Sequence, residues 1–231
     1  MDESMNAKLP AGALGVLQTL NGAGYEAYLV GGCVRDLLRG AEPQDWDICT
    51  SALPEETKGC FPGRRVIETG LKHGTVTVIE GGQPYEITTY RTEGPYSDSR
   101  RPDLVRFVPS LEQDLARRDF TMNAIAMDLQ GNVRDPFGGA DDIRAGVIRC
   151  VGEPGRRFQE DGLRVMRALR FAAGSGYALE EATARAVHEN RAMLDRVAAE
   201  RIGAELCRLL VGGHAGDVLR QYPDVLCQFW P

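Results

Sequence analysis

Asp45 and Asp47 stand one residue apart, ten residues downstream of the run Gly31-Gly32-Cys33-Val34-Arg35. On a β-strand, residues i and i+2 point to one face, so both carboxylates can project together. Two like charges that close raise each other's pKa unless a cation sits between them. Mg²⁺ prefers carboxylate oxygen, and paired metal sites run in-line displacement at phosphorus. Gly31 and Gly32 let backbone N–H groups approach a phosphate, and Arg35 can fork onto its oxygens. Metal-binding acids beside a phosphate cradle point to nucleotidyl transfer. A lone Asp-x-Asp is more often a solvated acidic turn; the glycine–arginine run upstream is what weighs against that here. Glu86, between Tyr85 and Ile87, is the candidate third carboxylate, with an outward-facing strand acid as the alternative.

Two arginine-bearing segments come next. Arg117-Arg118 precede Asp119-Phe120-Thr121-Met122-Asn123-Ala124. An arginine pair is commonly a solvated feature, but before a helix N-terminus Arg118 could reach a triphosphate or sugar. Farther on, Gly155–Ala173 reads as one helix, with Phe158, Val165, Leu169 and Ala172 on an apolar stripe. Arg164, Arg167 and Arg170 fall on the other side, with Asp161 one turn before Arg164. The plain reading is an i,i+3 pair on a wet face, worth roughly 0.2–0.5 kcal/mol. The chemical reading is base recognition. A carboxylate accepts from an exocyclic amine, and a guanidinium donates to the neighbouring ring nitrogen. Cytosine and adenine present that pattern; guanine and uracil present its inverse. Asp161 and Arg164 could then act as a template made of protein.

The elements that must position these groups follow from pattern. Leu14–Leu20 reads as a short helix, Ala27–Val30 as a buried strand broken by Gly31-Gly32, and Val34–Leu38 as a helical turn. Trp46–Cys49 is the strand expected to carry the aspartates. Gly74–Glu80 and Tyr85–Tyr90 alternate and flank Gly81-Gly82, a hairpin signature. Thr92–Asp103 reads as a polar loop, Phe120–Met127 as a helix, and Asn132–Ala140 as a loop containing Asp135-Pro136-Phe137-Gly138-Gly139, placed where a hinge would be useful. Beyond a boundary near Ile148–Gly152, the pattern is helical: Gly155–Ala173, Glu180–Asn190 and Ala199–Leu210. Glu200-Arg201-Ile202 with Glu205-Leu206 reads as a structural amphipathic segment. The terminal Phe229 and Trp230 need something to pack against.

Bulk properties bound the answer. The 231 residues, 43% hydrophobic and 26% charged, suit a soluble globular protein of one domain or two. No apolar stretch is long enough for a membrane span, and the N-terminus lacks a signal-peptide layout. Six scattered cysteines without a Cys-x-x-Cys suggest neither a zinc site nor a disulfide framework, and so a reducing cytoplasm. Three histidines weaken any histidine-based chemistry. A net charge of −6 with clustered arginines fits gripping one short RNA end rather than wrapping a duplex.

In this order, Gly31–Asp36, Asp45-Trp46-Asp47, Arg117–Ala126, Asp135–Gly139, Glu160-Asp161-x-x-Arg164 and Glu200–Leu206 resemble the class II tRNA nucleotidyltransferases. These are the bacterial CCA-adding enzymes, with bacterial poly(A) polymerases as relatives. The resemblance runs from about Tyr28 to Leu210. It implies an α+β fold: a polymerase-β-like nucleotidyltransferase head, residues 1–149, followed by an all-helical neck, residues 150–231. It implies Mg²⁺ on Asp45 and Asp47, and triphosphate on Gly32 and Arg35. It further implies nucleotide contact by Arg118, base reading by Asp161 and Arg164, and help from Arg167 and Arg170. Arg91–Pro102 matches the family's flexible loop. The implied reaction is template-independent addition of C, C and A to tRNA 3′ ends from CTP and ATP. The alternatives are a poly(A) polymerase, a CC- or A-adding enzyme, or a fragment that binds nucleotide with little activity. The helical body and tail expected to hold tRNA have no counterpart in this chain, which therefore reads as a head and neck.

Overall fold

The computed structural model describes residues 9–93 and 105–228. The chain divides into two compact units. The first holds residues 9–93, 105–118 and 122–140; the second holds 119–121 and 141–228.

The first unit is built on a seven-stranded sheet in the order β3-β4-β5-β2-β1-β8-β9. Its strands are β1 (Ala27–Val30), β2 (Asp47–Thr50), β3 (Val66–Ile67), β4 (Thr75–Glu80), β5 (Gln83–Thr89), β8 (Ala126–Met127) and β9 (Val133–Arg134). A separate two-stranded ribbon pairs β6 (Arg91–Glu93) with β7 (Val105–Phe107). Strand β1 is central, antiparallel to β2 on one side and to β8 on the other. Its Leu29 and Val30 are buried, so the chain leaves the sheet at Gly31 from a fixed position. The expected hairpin is present: β4 and β5 pair through Glu80↔Gln83. Gly81 and Gly82 take φ of 58° and 81°, the left-handed pair a two-residue hairpin turn requires. Helices α1 (Ala11–Gly22), α2 (Gly32–Leu38), α3 (Pro54–Gly59) and α4 (Leu111–Ala116) complete this unit.

Several boundaries differ from expectation. Phe120–Met127 is not a helix: Thr121–Asn123 form a single 3₁₀ turn and Ala126–Met127 enter the sheet as β8. Every residue from Phe120 to Met127 is buried. A segment buried on all sides carries no readable helical period, and such a short run is equally the mark of a central strand. Asn132–Ala140 is not wholly a loop, because it contains β9 and the start of α5 (Gly139–Ala145). Both oxygens of Asp135 accept the first amides of that helix, from Gly139 and Ala140, at 2.8 Å each. The expected loop Thr92–Asp103 begins inside β6; beyond Glu93 it lies outside the described residues, as do Phe229 and Trp230.

The second unit is helical apart from a short parallel pair, β10 (Val147–Ile148) with β11 (Ala178–Leu179). Its helices are α6 (Pro154–Glu160), α7 (Leu163–Ser175), α8 (Glu181–Glu189), α9 (Ala199–Leu210), α10 (Ala215–Gln221) and α11 (Pro223–Leu226). The expected single helix Gly155–Ala173 is two helices, because Asp161 is extended at φ −141°, ψ 106°. A Cβ on Gly162 would lie 2.5 Å from the Met193 carbonyl oxygen, so the joint is packed directly against that backbone. The apolar stripe holds across the break: Phe158, Val165 and Leu169 are fully buried and Ala172 nearly so. Among the described residues, no helix is long and apolar enough to cross a membrane.

Candidate active site

The first unit gathers Gly31, Asp45, Asp47, Glu86 and Arg118. Gly31 has φ 77° and ψ −126°, a conformation that side-chain-bearing residues avoid, and its N–H donates to the Ile125 carbonyl at 3.1 Å. This turns β1 directly into α2. A Cβ there would sit 3.1 Å from Nη1 of Arg118, so the glycine leaves room for that guanidinium to lie close against the turn. Asp47 opens β2 and is the cross-strand partner of Glu86 on β5. Asp45 and Trp46 precede the strand rather than lying in it. Asp45 and Asp47 are nonetheless both exposed, with half-buried Trp46 between them. A cleft of about 460 Å³ is lined by these three residues together with Tyr85 and Glu86.

The electrostatics are those of surplus negative charge. Desolvation, then Glu86, then Asp45 push the Asp47 carboxyl above its ordinary value, and Arg118 only partly opposes them. Among the described residues, no three His, Cys, Asp or Glu side chains converge to hold a metal ion. Mg²⁺ seldom uses an all-protein cage. It is commonly held by one or two carboxylates together with substrate phosphates, and an exposed carboxylate pair with unmatched charge fits that habit.

Arg35 lies close to the cradle but is engaged. Its Nε and Nη2 donate to the two oxygens of Asp36 at 2.9 and 3.1 Å, and Nη1 donates to Asn123 Oδ1 at 2.8 Å. Among the described residues, Gly32 has only Arg35 Nη2 near its missing side chain, at 3.7 Å.

In the second unit, the Arg164 backbone N–H donates to the Asp161 carbonyl at 3.0 Å, and the two side chains take different partners. Asp161 Oδ1 accepts the Leu163 amide at 3.0 Å, and Oδ2 accepts from Arg201 Nη2 at 3.2 Å. Arg164 is only 7% exposed, so it does not sit on a wet face, while Asp161, Arg167 and Arg170 are half-buried. Its Nη1 donates to Glu160 Oε2 at 2.9 Å and to the Arg157 carbonyl at 3.2 Å. Arg167 Nε donates to Asp119 Oδ2 at 2.7 Å, and Arg170 pairs with buried Glu205 while its guanidinium lies 3.8 Å over the Phe171 ring. Arg201 and Glu205 belong to the stretch that reads as merely structural in sequence. Their i,i+4 spacing on α9 was the available signal, since it puts both on one helix face.

Comparison with known proteins bears on these arrangements. Residues 27–149 match the model of the poly A polymerase head domain. The chain belongs to that family. Residues 176–222 match a second model, described as the probable RNA and SrmB-binding site of polymerase A. The CCA-adding enzyme of Lactobacillus helveticus is 50% identical over 212 residues, covering 92% of this chain and 53% of that protein. The CCA-adding enzyme of Geobacillus stearothermophilus is 52% identical over 207 residues, covering 90% and 51%. A crystal structure of the Bacillus stearothermophilus CCA-adding enzyme in complex with CTP superposes with a TM-score of 0.84 at 49% identity, over 91% of this chain and 50% of that one. The Thermotoga maritima CCA-adding enzyme complexed with tRNA_CCA gives 0.81 at 26% identity, over 99% and 55%. The chain thus spans about half the length of the curated relatives it matches. The fold class is that of the family: an α+β nucleotidyltransferase head followed by a helical neck.

Proposed function

We propose that this chain carries the head and neck of an enzyme that adds C, C and A to tRNA 3′ ends, without a nucleic-acid template, from CTP and ATP. The head is residues 1–149 and the neck 150–231. The observation that carries the reading is the meeting, in one unit, of a carboxylate pair with unmatched charge and a glycine turn that admits Arg118. Relatives about 50% identical, named CCA-adding enzymes, support the choice of substrate.

Asp45 and Asp47 would hold Mg²⁺, with Glu86 completing the acidic mouth. Bound there, the metal would lower the pKa of the attacking 3′ hydroxyl and neutralise charge on the departing pyrophosphate. Gly31 and Gly32 give the backbone close approach to the triphosphate, and Arg35 and Arg118 supply its counter-charge. Arg35 must exchange Asp36 or Asn123 for phosphate to do so. Asp161 and Arg164 read the base, with Arg167 and Arg170 supporting the same face. With the Leu163 amide on Oδ1 and Arg201 on Oδ2, each Asp161 oxygen keeps a second lone pair, so the carboxylate can still accept from the exocyclic amine of C or A.

The test has two arms. Titration with CTP, ATP, UTP and GTP is expected to show binding of the first two only. Incubation with tRNA ending at its discriminator base, with CTP, ATP and Mg²⁺, is expected to yield C, C and A in that order. Runs of A would indicate a poly(A) polymerase, and a stop after CC or a requirement for a CC end would indicate a partial adder. Binding of all four nucleotides alike would refute the reading.

A further inference from the structure

Asp114 is fully buried, at 0% exposure, and no feature of the sequence singles it out. A carboxylate cannot be buried cheaply without donors, and here the donors come from two segments. Oδ1 accepts the Arg91 backbone N–H of β6 at 3.2 Å and Arg117 Nε at 2.9 Å. Oδ2 accepts Arg118 Nη2 at 3.2 Å. The spacing follows from α4: Asp114 lies three and four residues before the two arginines, so its carboxylate faces both as the helix ends. The other terminal nitrogen of Arg118, Nη1, is the one beside Gly31. Burial alone would raise Asp114, but Arg117 and Arg118 outweigh it and hold the carboxyl below its ordinary range, so it is an anion at neutral pH.

We propose that Asp114 is a positioning residue: it grips one end of the Arg118 guanidinium so that the other end is presented at the Gly31 turn, where the triphosphate binds. The proposal rests on the assignment of Arg118 to the triphosphate made above. Asp114 does not touch the nucleotide; it acts through Arg118. By accepting the Arg91 amide with its other oxygen, it also ties the position of Arg118 to the β6–β7 ribbon.

Asp114→Asn tests this. The side chain keeps its shape but has one acceptor oxygen. Two donors, Arg91 N–H and Arg117 Nε, compete for that oxygen on one side, so the amide NH₂ turns toward Arg118 and repels it. Two readouts separate positioning from general damage. The first needs no ligand. Arg118 Nε is buried with no acceptor among the described residues, so its N–H gives a solvent-shielded ¹⁵N signal whose relaxation reports side-chain order. Order is expected in the wild type and lost in Asp114→Asn. The second is affinity for inorganic tripolyphosphate, which is expected to weaken on the order of tenfold, the loss of one charge-assisted bond. In an Arg118→Ala background, Asp114→Asn is expected to cause no further loss. Equal Arg118 order in wild type and Asp114→Asn overturns the proposal, and so does an undiminished effect in the Arg118→Ala background. Should Asp114→Asn not fold, Asp114→Glu keeps the charge, displaces the guanidinium, and is judged by the same two readouts. If the wild type binds no tripolyphosphate, the triphosphate role of Arg118 fails, while its order in the free protein still decides what Asp114 does.

Discussion

Asp47→Asn is expected to stabilise the metal-free protein while removing its response to Mg²⁺. Asp47 sits cross-strand from Glu86 and one residue from Asp45. Neighbouring strand positions place side chains ~5 Å apart. At about 6 Å between carboxylates and an effective dielectric of about 40–80, each neighbour costs roughly 0.7–1.4 kcal/mol. Attraction to Arg118 offsets part of this, so the net strain on the ionised side chain is on the order of 0.5–1 kcal/mol. For a chain of this size, 1 kcal/mol moves Tm by roughly 2–4 °C, so the amide is expected to raise Tm in EDTA by about 1–4 °C. The pH dependence has a definite sign. The folded pKa of Asp47 is raised above its unfolded value, so the ionised form costs stability above the folded pKa and nothing below the unfolded one. The advantage of asparagine therefore fades as pH falls through the aspartate range toward about 3.9. With Mg²⁺ added, the wild type is expected to gain stability by mass action and the variant to gain little. Melting curves in EDTA and across Mg²⁺ concentrations decide the matter. An unchanged or lowered Tm for Asp47→Asn in EDTA, with a Mg²⁺ response equal to wild type, would show that the carboxylates are merely solvated.

Other perturbations probe the two units separately. Asp45→Ala is expected to abolish Mg²⁺-dependent nucleotide incorporation with the far-ultraviolet circular dichroism unchanged; retained incorporation refutes its role. Arg201→Ala removes the donor on Asp161 Oδ2 and is expected to weaken CTP and ATP together by roughly threefold to tenfold; calorimetric titration checks this, and loss of one nucleotide alone contradicts a shared amine-reading carboxylate. Gly162→Ala drives a Cβ against the Met193 carbonyl and is expected to cost roughly 1–3 kcal/mol of stability, read as a shift in urea midpoint; a neutral result would mean the α6–α7 joint yields freely.

The legible parts of the fold were those whose sequence period is tied to one buried face. The β4–β5 hairpin announced itself by alternation and by Gly81-Gly82, and β1 by its apolar run against Gly31. Phe120–Met127 was misread because burial on every side erases the period that distinguishes helix from strand. The helix break at Asp161 was invisible for another reason. Gly162 has ordinary helical torsions; what excludes a side chain there is the Met193 carbonyl, thirty-one residues on, a contact no local pattern encodes. At the candidate site, residue types and spacing singled out Asp45, Asp47 and Arg118, which lie near one another in the first unit, but not Asp114, which looks like any other acid in a short polar helix.

The same asymmetry explains the net charge. An excess of acids is the wrong sign of charge for a partner made of phosphate, yet several of the buried or half-buried acids each hold an arginine. Asp114 grips Arg117 and Arg118, Asp119 grips Arg167, Glu160 grips Arg164, Asp161 grips Arg201 and Glu205 grips Arg170. A long guanidinium side chain left to itself loses considerable rotamer entropy when it meets a phosphate or a base. Fixing it beforehand against a carboxylate places that loss in folding rather than in binding. The formal charge of −6 therefore counts acids whose work is to orient cations. Under the proposed function, what a nucleotide would meet is set by where those arginines are aimed and not by the sum.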